Sequence, residues 1–169
     1  MKPFVKASDM EMKRVELKVP EGCQLIIGQS HFIKTVEDVY ETLVSSAPGI
    51  KFGVAFCEAS GKALVRYDGS DEGAALLARN YAERLGAGHC FVVVLSGAFP
   101  INVLNRIKGV EEVVGIFCAT SNHVTVIVAN SGRGRGILGV VDGVSPTGVE
   151  SEDDKKERRE FLRKIGYKR

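Results

Sequence analysis

The chain has 169 residues, of which 44% are hydrophobic and 26% are charged. This composition is ordinary for a globular protein, and we expect a single domain over residues 1–169. The 23 basic and 21 acidic residues leave a net charge of +2, so neither nucleic acid nor a membrane surface is expected as a partner.

The amino end carries charges throughout residues 1–20 and has no apolar core, so no secretory signal peptide is predicted there. The longer apolar runs are interrupted by Gly and Pro and are too short to span a membrane. Four cysteines are scattered without a CxxC pair, which favours buried thiols over a zinc site or disulfides. They are Cys23, Cys57, Cys90 and Cys118. We therefore expect a cytoplasmic protein.

Hydrophobic periodicity predicts two opening strands, Arg14–Val19 and Gln24–Gly28. The period then becomes helical over residues 35–46, where apolar residues fall on one face. Thr35 and Asp38 have the spacing of a capping box, which predicts that Thr35 begins this helix.

Two β-type runs follow at residues 50–59 and 63–69, and the Ser60-Gly61-Lys62 turn between them predicts a hairpin. A second helix is predicted to begin with Ser70 as its cap and to run through Leu85. Glycine at the next position suits the left-handed conformation that ends many helices.

The rest of the chain predicts a strand over Phe91–Leu95 and a short helix that begins at Pro100. Three strand-like runs come next, VVGIFCAT, HVTVIVAN and GILGVVDG, and a charged helix follows from Ser151 within residues 151–169. Because single helices interrupt a series of strands, the pattern predicts the α/β class, with a mixed β-sheet covered by helices.

The common catalytic motifs are absent. The sequence has no GxxxxGK[ST], GxSxG or HExxH, and no GxGxxG follows the first strand. Candidate functional residues must therefore come from local context.

His89 is the first candidate, in the stretch GAGHCFVVVL. It follows a predicted helix end and precedes an apolar strand, and junctions of this kind hold ligand-binding groups in α/β proteins. Gly86 and Gly88 give the backbone conformational freedom on its amino side. A neutral imidazole there could attack a phosphoryl group if an acceptor held its other nitrogen. The alternative is a packed or capping histidine.

A second candidate is the stretch SGRGRGILGVVDG, in which Arg133 and Arg135 alternate with glycines such as Gly136. Paired guanidinium groups beside bare amides suit phosphate oxygens, although a solvated basic hairpin loop would show the same pattern. Asp142 could hold a metal or a ribose hydroxyl, or could belong to a turn.

Asn102 and Asn105 lie three residues apart on one face of the short helix. Asparagine is a poor interior helix residue, so the pair predicts hydrogen bonding either to a nucleoside or within the protein. Glu58 ends an apolar strand and could orient His89 or remain an ordinary strand-end carboxylate. Lys62 could reach a ligand from its turn. His31 and His123 are predicted to be structural.

Five segments together resemble the adenosine-specific kinase family of archaea and bacteria, over about Lys13 to Glu150. They are FGVAFCEASGKALVR, GAGHCFVVVL, FPINVLNRIK, IFCATSNHVTVIVA and GRGRGILGVVDGVSPTGVE. The resemblance implies a three-layer α/β sandwich and a homo-oligomer, for which we expect a trimer. It also implies binding of adenosine nucleotides such as AMP and a stably phosphorylated histidine, which matches His89.

The resemblance thus implies a phosphotransferase that works through a phosphohistidine at His89, with ATP as the phosphoryl donor. Mg²⁺ is expected to accompany ATP, no tightly bound organic cofactor is expected, and no metal ligands are assigned. The alternative is a non-catalytic sensor of AMP and ATP. The residues expected to bind the nucleotide are Glu58, Ser60, Lys62, Gly88, Asn102, Asn105, Arg133, Arg135, Gly136 and Asp142.

Overall fold

The computed structural model describes residues 10–168, so most of the charged amino end, residues 1–9, lies outside the described residues together with Arg169. Residues 10–168 form eight strands, with four helices placed singly among and after them. In order they are β1 Glu11–Leu17, β2 Cys23–Ser30, α1 Thr35–Val44, β3 Lys51–Cys57, β4 Val65–Gly69, α2 Glu72–Leu85, β5 Cys90–Ser96, α3 Pro100–Lys108, β6 Val113–Thr120, β7 Val124–Asn130, β8 Arg135–Asp142 and α4 Glu152–Lys164. None of these helices is long and apolar enough to cross a membrane.

The strands form a five-stranded sheet in the order β4-β3-β5-β2-β6 and a three-stranded sheet in the order β1-β7-β8. Neighbouring strands in both sheets run antiparallel. The predicted α/β class is confirmed. The division into two antiparallel sheets was not predicted, because periodicity within a strand does not reveal which strand lies beside it.

The five-stranded sheet is the middle of three layers. One face packs on α1 and α3 around a core that includes Phe52 and Phe91. The other face packs on α2 and the three-stranded sheet around a core that includes Leu25 and Val92. Because both faces are covered, β5 is apolar along nearly its whole length, as its sequence CFVVVLS predicts.

Helix α2 lies very close to β3. A Cβ atom added at Gly53 would lie 2.2 Å from the backbone nitrogen of Ala75, so only glycine permits this approach. The helix ends at Gly86, whose φ of 56° is the left-handed conformation that the sequence predicts. Packing of α2 on β3 therefore fixes the position of Gly86, from which the chain continues to His89.

Two predicted helix caps are wrong. Asp71, not Ser70, caps α2 by accepting a hydrogen bond from the Ala74 amide at 3.0 Å, while the Ser70 hydroxyl bonds to β3 and its preceding loop. Helix α1 begins at Thr35 as predicted, but Thr35 does not cap it, because its side chain is buried against the Ser30 hydroxyl at 2.6 Å. Each hydroxyl is used for tertiary contacts that local spacing does not reveal.

Candidate functional site

His89 lies at one end of the five-stranded sheet, where β2 and β3 end and β5 begins. Its backbone amide donates to the Cys57 carbonyl at 2.7 Å, and its carbonyl accepts from the Ser30 amide at 2.9 Å. We call this region the His89 end and the opposite edge, where Cys23 and Lys51 flank Ser96, the far end. The backbone of His89 is thus held between β2 and β3, the strands on either side of β5.

The backbone of His89 is left-handed, with φ of 63°. Only a small share of residues other than glycine adopt this conformation, at a cost on the order of 1 kcal/mol. The sequence predicts that Gly86 and Gly88 give the backbone conformational freedom, but glycine is required at position 88 for a different reason. A Cβ at Gly88 would lie 2.9 Å from the Cβ of Ala59, so glycine lets the two loops touch.

The imidazole ring of His89 is half-buried and stacks on Phe56, with 5.9 Å between ring centroids and 13° between ring planes. Among residues 10–168, no protein group forms a hydrogen bond with either ring nitrogen. The acceptor expected to hold one nitrogen is therefore not supplied by this part of the chain. Both nitrogens are available to a ligand.

Glu58 does not orient His89. Its carboxylate accepts hydrogen bonds from the Leu64 amide and from Arg66 Nε, both at 2.9 Å. The Leu64 amide, and then the guanidinium of Arg66 and the charge of Lys62, hold the pKa of this carboxyl below its usual value. Glu58 therefore ties together the hairpin between β3 and β4.

The turn of that hairpin carries Ser60 and Lys62, both exposed. The Ala63 amide donates to the Ser60 carbonyl at 3.0 Å, and both Gly61 and Ala63 have positive φ. Within the described chain, the Lys62 ammonium has no hydrogen bond or ion pair. Because Ala59 contacts Gly88, this turn lies beside the His89 loop, and it brings a free cation to the His89 end.

The turn between β7 and β8 also reaches this end, through a bridge between Ala87 and Arg135. The Arg135 guanidinium donates to the carbonyls of Arg84 at 3.1 Å and Leu85 at 3.4 Å, so it caps the C-terminus of α2. Arg133 is exposed, and its side chain makes no contact of this kind with the described residues. The two arginines therefore do not form the expected pair.

Gly136 and Gly88 share a narrow cleft of about 140 Å³ between the two sheets. Ala87, Cys90 and Phe117 also line it. The predicted residues that the fold brings to the His89 end are Glu58, Ser60, Lys62, Gly88, Arg133, Arg135 and Gly136.

Three predicted residues are not brought to His89. Asn102 accepts a hydrogen bond from the Phe99 amide at 2.9 Å and so stabilises the start of α3 at the far end. Asp142 accepts from the Thr120 hydroxyl at 2.8 Å and lies at the same end. Asn105 is exposed on α3. The seven residues of β5 separate the two ends by roughly 20 Å.

Of the other two histidines, His123 is structural as predicted, because its Nδ1 accepts a hydrogen bond from the Val19 amide at 3.1 Å. His31 is exposed, and its backbone amide donates to the Glu112 carbonyl at 3.1 Å.

Sequence reasoning missed Glu112, which precedes β6 at the His89 end. Only 2% of its surface is exposed, yet its two carboxylate oxygens accept no hydrogen bond from the described residues. Lys34 Nζ lies 3.4 Å from Oε2, so the pair is held by charge rather than by an aligned hydrogen bond. Two adjacent glutamates before an apolar strand give no indication in the sequence that one of them is buried.

The thiols beside His89 are not competing nucleophiles. Burial raises the pKa of Cys57 to about 11 and that of Cys90 well above its usual value. Both thiols are therefore protonated near neutral pH and are weak nucleophiles. Among the described residues, no cluster of His, Cys, Asp and Glu could hold a metal ion.

The model of the family described as adenosine specific kinase matches residues 15–168. The match extends through α4, beyond Glu150, where the motifs quoted above end. The crystal structure of the PH1918 protein from Pyrococcus horikoshii OT3 is similar, with a TM-score of 0.91 and 45% sequence identity. That alignment covers 95% of this chain and 99% of that chain. No curated protein matches the chain in sequence. By the extent of the family match, this chain belongs to the adenosine specific kinase family.

Proposed function

We propose that the protein transfers a phosphoryl group from an adenosine nucleotide through a phosphohistidine at His89. The observation that carries this proposal is the half-buried imidazole at a strand end, which leaves a ring nitrogen open to a ligand. A neutral imidazole is a nucleophile near physiological pH, and the neighbouring thiols are not. Family membership supports the adenosine nucleotide, AMP or ATP, as ligand.

In the proposed step, the unprotonated nitrogen of His89 attacks the γ-phosphorus of ATP. A nitrogen–phosphorus bond forms, the bond from phosphorus to the ADP oxygen breaks, and ADP leaves. The proton on the other ring nitrogen is then lost to solvent. At this end, Lys62 and Arg133 make no hydrogen bond or ion pair with the described residues, and they stabilise negative charge on the phosphoryl oxygens.

Mg²⁺ bound with ATP would neutralise phosphate charge during this step. The described residues contain no cluster of His, Cys, Asp and Glu that could hold this ion, and Glu58 is already bonded to Leu64 and Arg66. This donor set fits an ion that is held mainly by phosphate oxygens and water, as Mg²⁺ often is.

The stacking partner of His89 supports a long-lived phosphohistidine. Phosphohistidine hydrolyses readily once its imidazole ring is protonated at the free nitrogen, so a pocket must limit access of acid. Phe56 covers one face of the ring and is itself only 1% exposed. The contact between Gly88 and Ala59 brings the two loops beside the ring close together.

A non-catalytic nucleotide sensor is the second candidate, and one observation favours it. No described residue pins the second nitrogen of His89, as an activated nucleophile usually requires. In a sensor, His89 would donate a hydrogen bond to phosphate without becoming phosphorylated.

Incubation with γ-labelled ATP and Mg²⁺ separates the two candidates. We expect an acid-labile, alkali-stable label that is lost in His89→Asn, since asparagine tolerates positive φ better than most residues and should preserve the fold. His123→Gln is the matched control at the far end and should keep the label. Label that persists in His89→Asn, or nucleotide binding without any label on the unaltered protein, would contradict phosphotransfer through His89.

A further inference from the structure

Ser30, the last residue of β2, contacts the backbone of His89 directly. Its amide donates a hydrogen bond to the His89 carbonyl at 2.9 Å. The left-handed backbone of His89 is unfavourable for a residue other than glycine, so it persists only where the surrounding structure holds it. The position of Ser30 therefore contributes to the position of the imidazole.

The ladder of the sheet does not by itself fix the end of β2. The pairing of β2 with β6 shifts register between Gln29 and Ser30, and such irregularities interrupt the regular hydrogen bonds of a sheet. The Ser30 hydroxyl instead lies 2.6 Å from the Thr35 hydroxyl and 3.1 Å from the Glu112 carbonyl oxygen. These side-chain bonds tie the end of β2 to the first residue of α1 and to the residue before β6.

This group of polar residues is closed to water. Ser30 and Thr35 are 0% exposed, and Glu112 is 2% exposed. Solvent therefore does not compete for the hydrogen bonds of Ser30, and a bond lost there is not replaced by water. The burial also means that Ser30 cannot touch a nucleotide.

The carboxylate of Glu112 anchors this group. Its Oε2 lies 3.4 Å from Lys34 Nζ, which also bonds to Asp38 at 2.5 Å. A buried ion pair adds little net stability, because the cost of removing its charges from water offsets their attraction. Stability alone therefore does not account for this pair. It does hold Glu112 in place, and the Glu112 carbonyl accepts from both Ser30 and the His31 amide.

We propose that Ser30 is a positioning residue for His89 and that the buried charge of Glu112 anchors it. Together they keep the left-handed backbone of His89 in the conformation that stacks the imidazole on Phe56. The expected effect on rate rests on the phosphotransfer proposed above, whereas the position of the imidazole can be measured without it.

Removal of the Ser30 hydroxyl tests this assignment with two measurements. At saturating ATP, Ser30→Ala should slow labelling of His89 about tenfold, while the Kd for ATP stays within about twofold of the unaltered value. The NMR signals of the His89 ring protons, assigned by their absence from His89→Asn, should also move. They report the stacking on Phe56, because the ring current of Phe56 depends on its distance from these protons.

Thr120→Val is the matched control for loss of stability. Thr120 is the buried last residue of β6 at the far end, and its hydroxyl also makes two hydrogen bonds. This variant should lower the thermal unfolding temperature about as much as Ser30→Ala does and leave the labelling rate and the His89 signals unchanged. Thr35→Val removes the 2.6 Å contact from its other side and should reproduce both effects of Ser30→Ala, so the test does not depend on the folding of one variant.

Unmoved His89 signals in both Ser30→Ala and Thr35→Val would overturn the proposal, and so would equal changes in Thr120→Val. Moved signals with an unchanged labelling rate would overturn the role of Ser30 in phosphotransfer. If the unaltered protein takes up no label, the phosphotransfer is refuted, and the His89 signals still decide whether Ser30 positions the ring.

A second pair of variants tests the anchor. Glu112→Gln keeps the size of the side chain but removes the charge that Lys34 holds. It should slow labelling about threefold, a smaller loss because it acts on His89 only through Ser30. Glu111→Gln alters the exposed neighbouring carboxylate and should not change the rate. Equal rates in these two variants would exclude Glu112 from the assignment.

Discussion

The two ends of the five-stranded sheet differ in whether every candidate polar group is bonded within the protein. At the far end, Asn102, Asp142 and His123 all bond to protein groups. At the His89 end, Glu58 and Arg135 do so as well, but the imidazole of His89 makes no hydrogen bond with the described residues. Half-buried polar groups are usually satisfied within a protein, so an imidazole left open at a strand end indicates a place for a ligand.

The largest expected effect comes from closing the His89 end sterically. Gly88→Val should lower the rate of ATP labelling by about 100-fold, because its side chain would push the His89 loop away from Ala59 and misplace the imidazole. The rate of label incorporation measures this. Gly115→Val is the control, since a Cβ there meets no atom within 4 Å. Equal rates in the two variants would show that the loop contact does not position His89.

Substitutions of the cations at this end should have smaller effects, which distinguish cations that bind phosphate from the one that stabilises the fold. Lys62→Ala and Arg133→Ala should each slow labelling about tenfold, a modest loss because solvent screens exposed charges. Arg135→Ala should instead lower the free energy of unfolding by about 1 kcal/mol, since it removes the cap of α2. Labelling rates and denaturant titrations of all three variants check this. Slower labelling in Arg135→Ala at unchanged stability would place Arg135 at the phosphate instead.

Substitutions at the far end should lower the stability of the protein without changing its affinity for ATP. Asn102→Ala and Asp142→Ala should each lower the free energy of unfolding by about 1 kcal/mol, because each removes hydrogen bonds within the protein. Denaturant titrations measure this loss, and affinity for ATP should stay within about twofold of the unaltered value. Loss of ATP affinity in either variant would mean that the nucleotide spans both ends.

The smallest effect concerns pH. The pKa of Glu58 is lowered in the folded state, so its stabilising contribution is present above its ordinary pKa of 4.5 and is lost as the pH falls through the lower folded value. Glu58→Gln should therefore be less stable than the unaltered protein at pH 7, and the difference in the free energy of unfolding should shrink as the pH falls below 4.5. Denaturant titrations over this pH range measure this, with Glu157→Gln on α4 as control. A difference that stays constant as the pH falls would show that the contribution does not depend on the charge of Glu58.

Much of the fold follows from local sequence pattern. Periodicity located the helices and strands, and Gly86 was recognised as the end of α2. The division into two sheets could not be predicted, because strand pairing depends on contacts far apart in sequence. The same limit explains the capping error at Ser70, whose hydroxyl serves β3 and the loop before it.

Local sequence made His89 a candidate because it stands directly before a buried strand, but position alone left a packed histidine open. The family resemblance favoured a phosphorylated histidine, and that role stays a prediction. Arg135 was assigned to phosphate because its spacing from Arg133 is suitable, but spacing does not reveal that the carbonyls at the end of α2 lie within its reach. Glu112 was missed because burial of a single carboxylate is determined by tertiary packing.

The clamped backbone of His89 limits how the protein can respond to modification of this residue. Its amide and carbonyl are bonded to strands on either side, so a phosphoryl group added to the ring has little scope to shift the main chain there. If His89 is phosphorylated as proposed, the effect would pass through neighbouring side chains and the exposed β3–β4 turn. The phosphate would attract Lys62 electrostatically and draw that turn towards the ring.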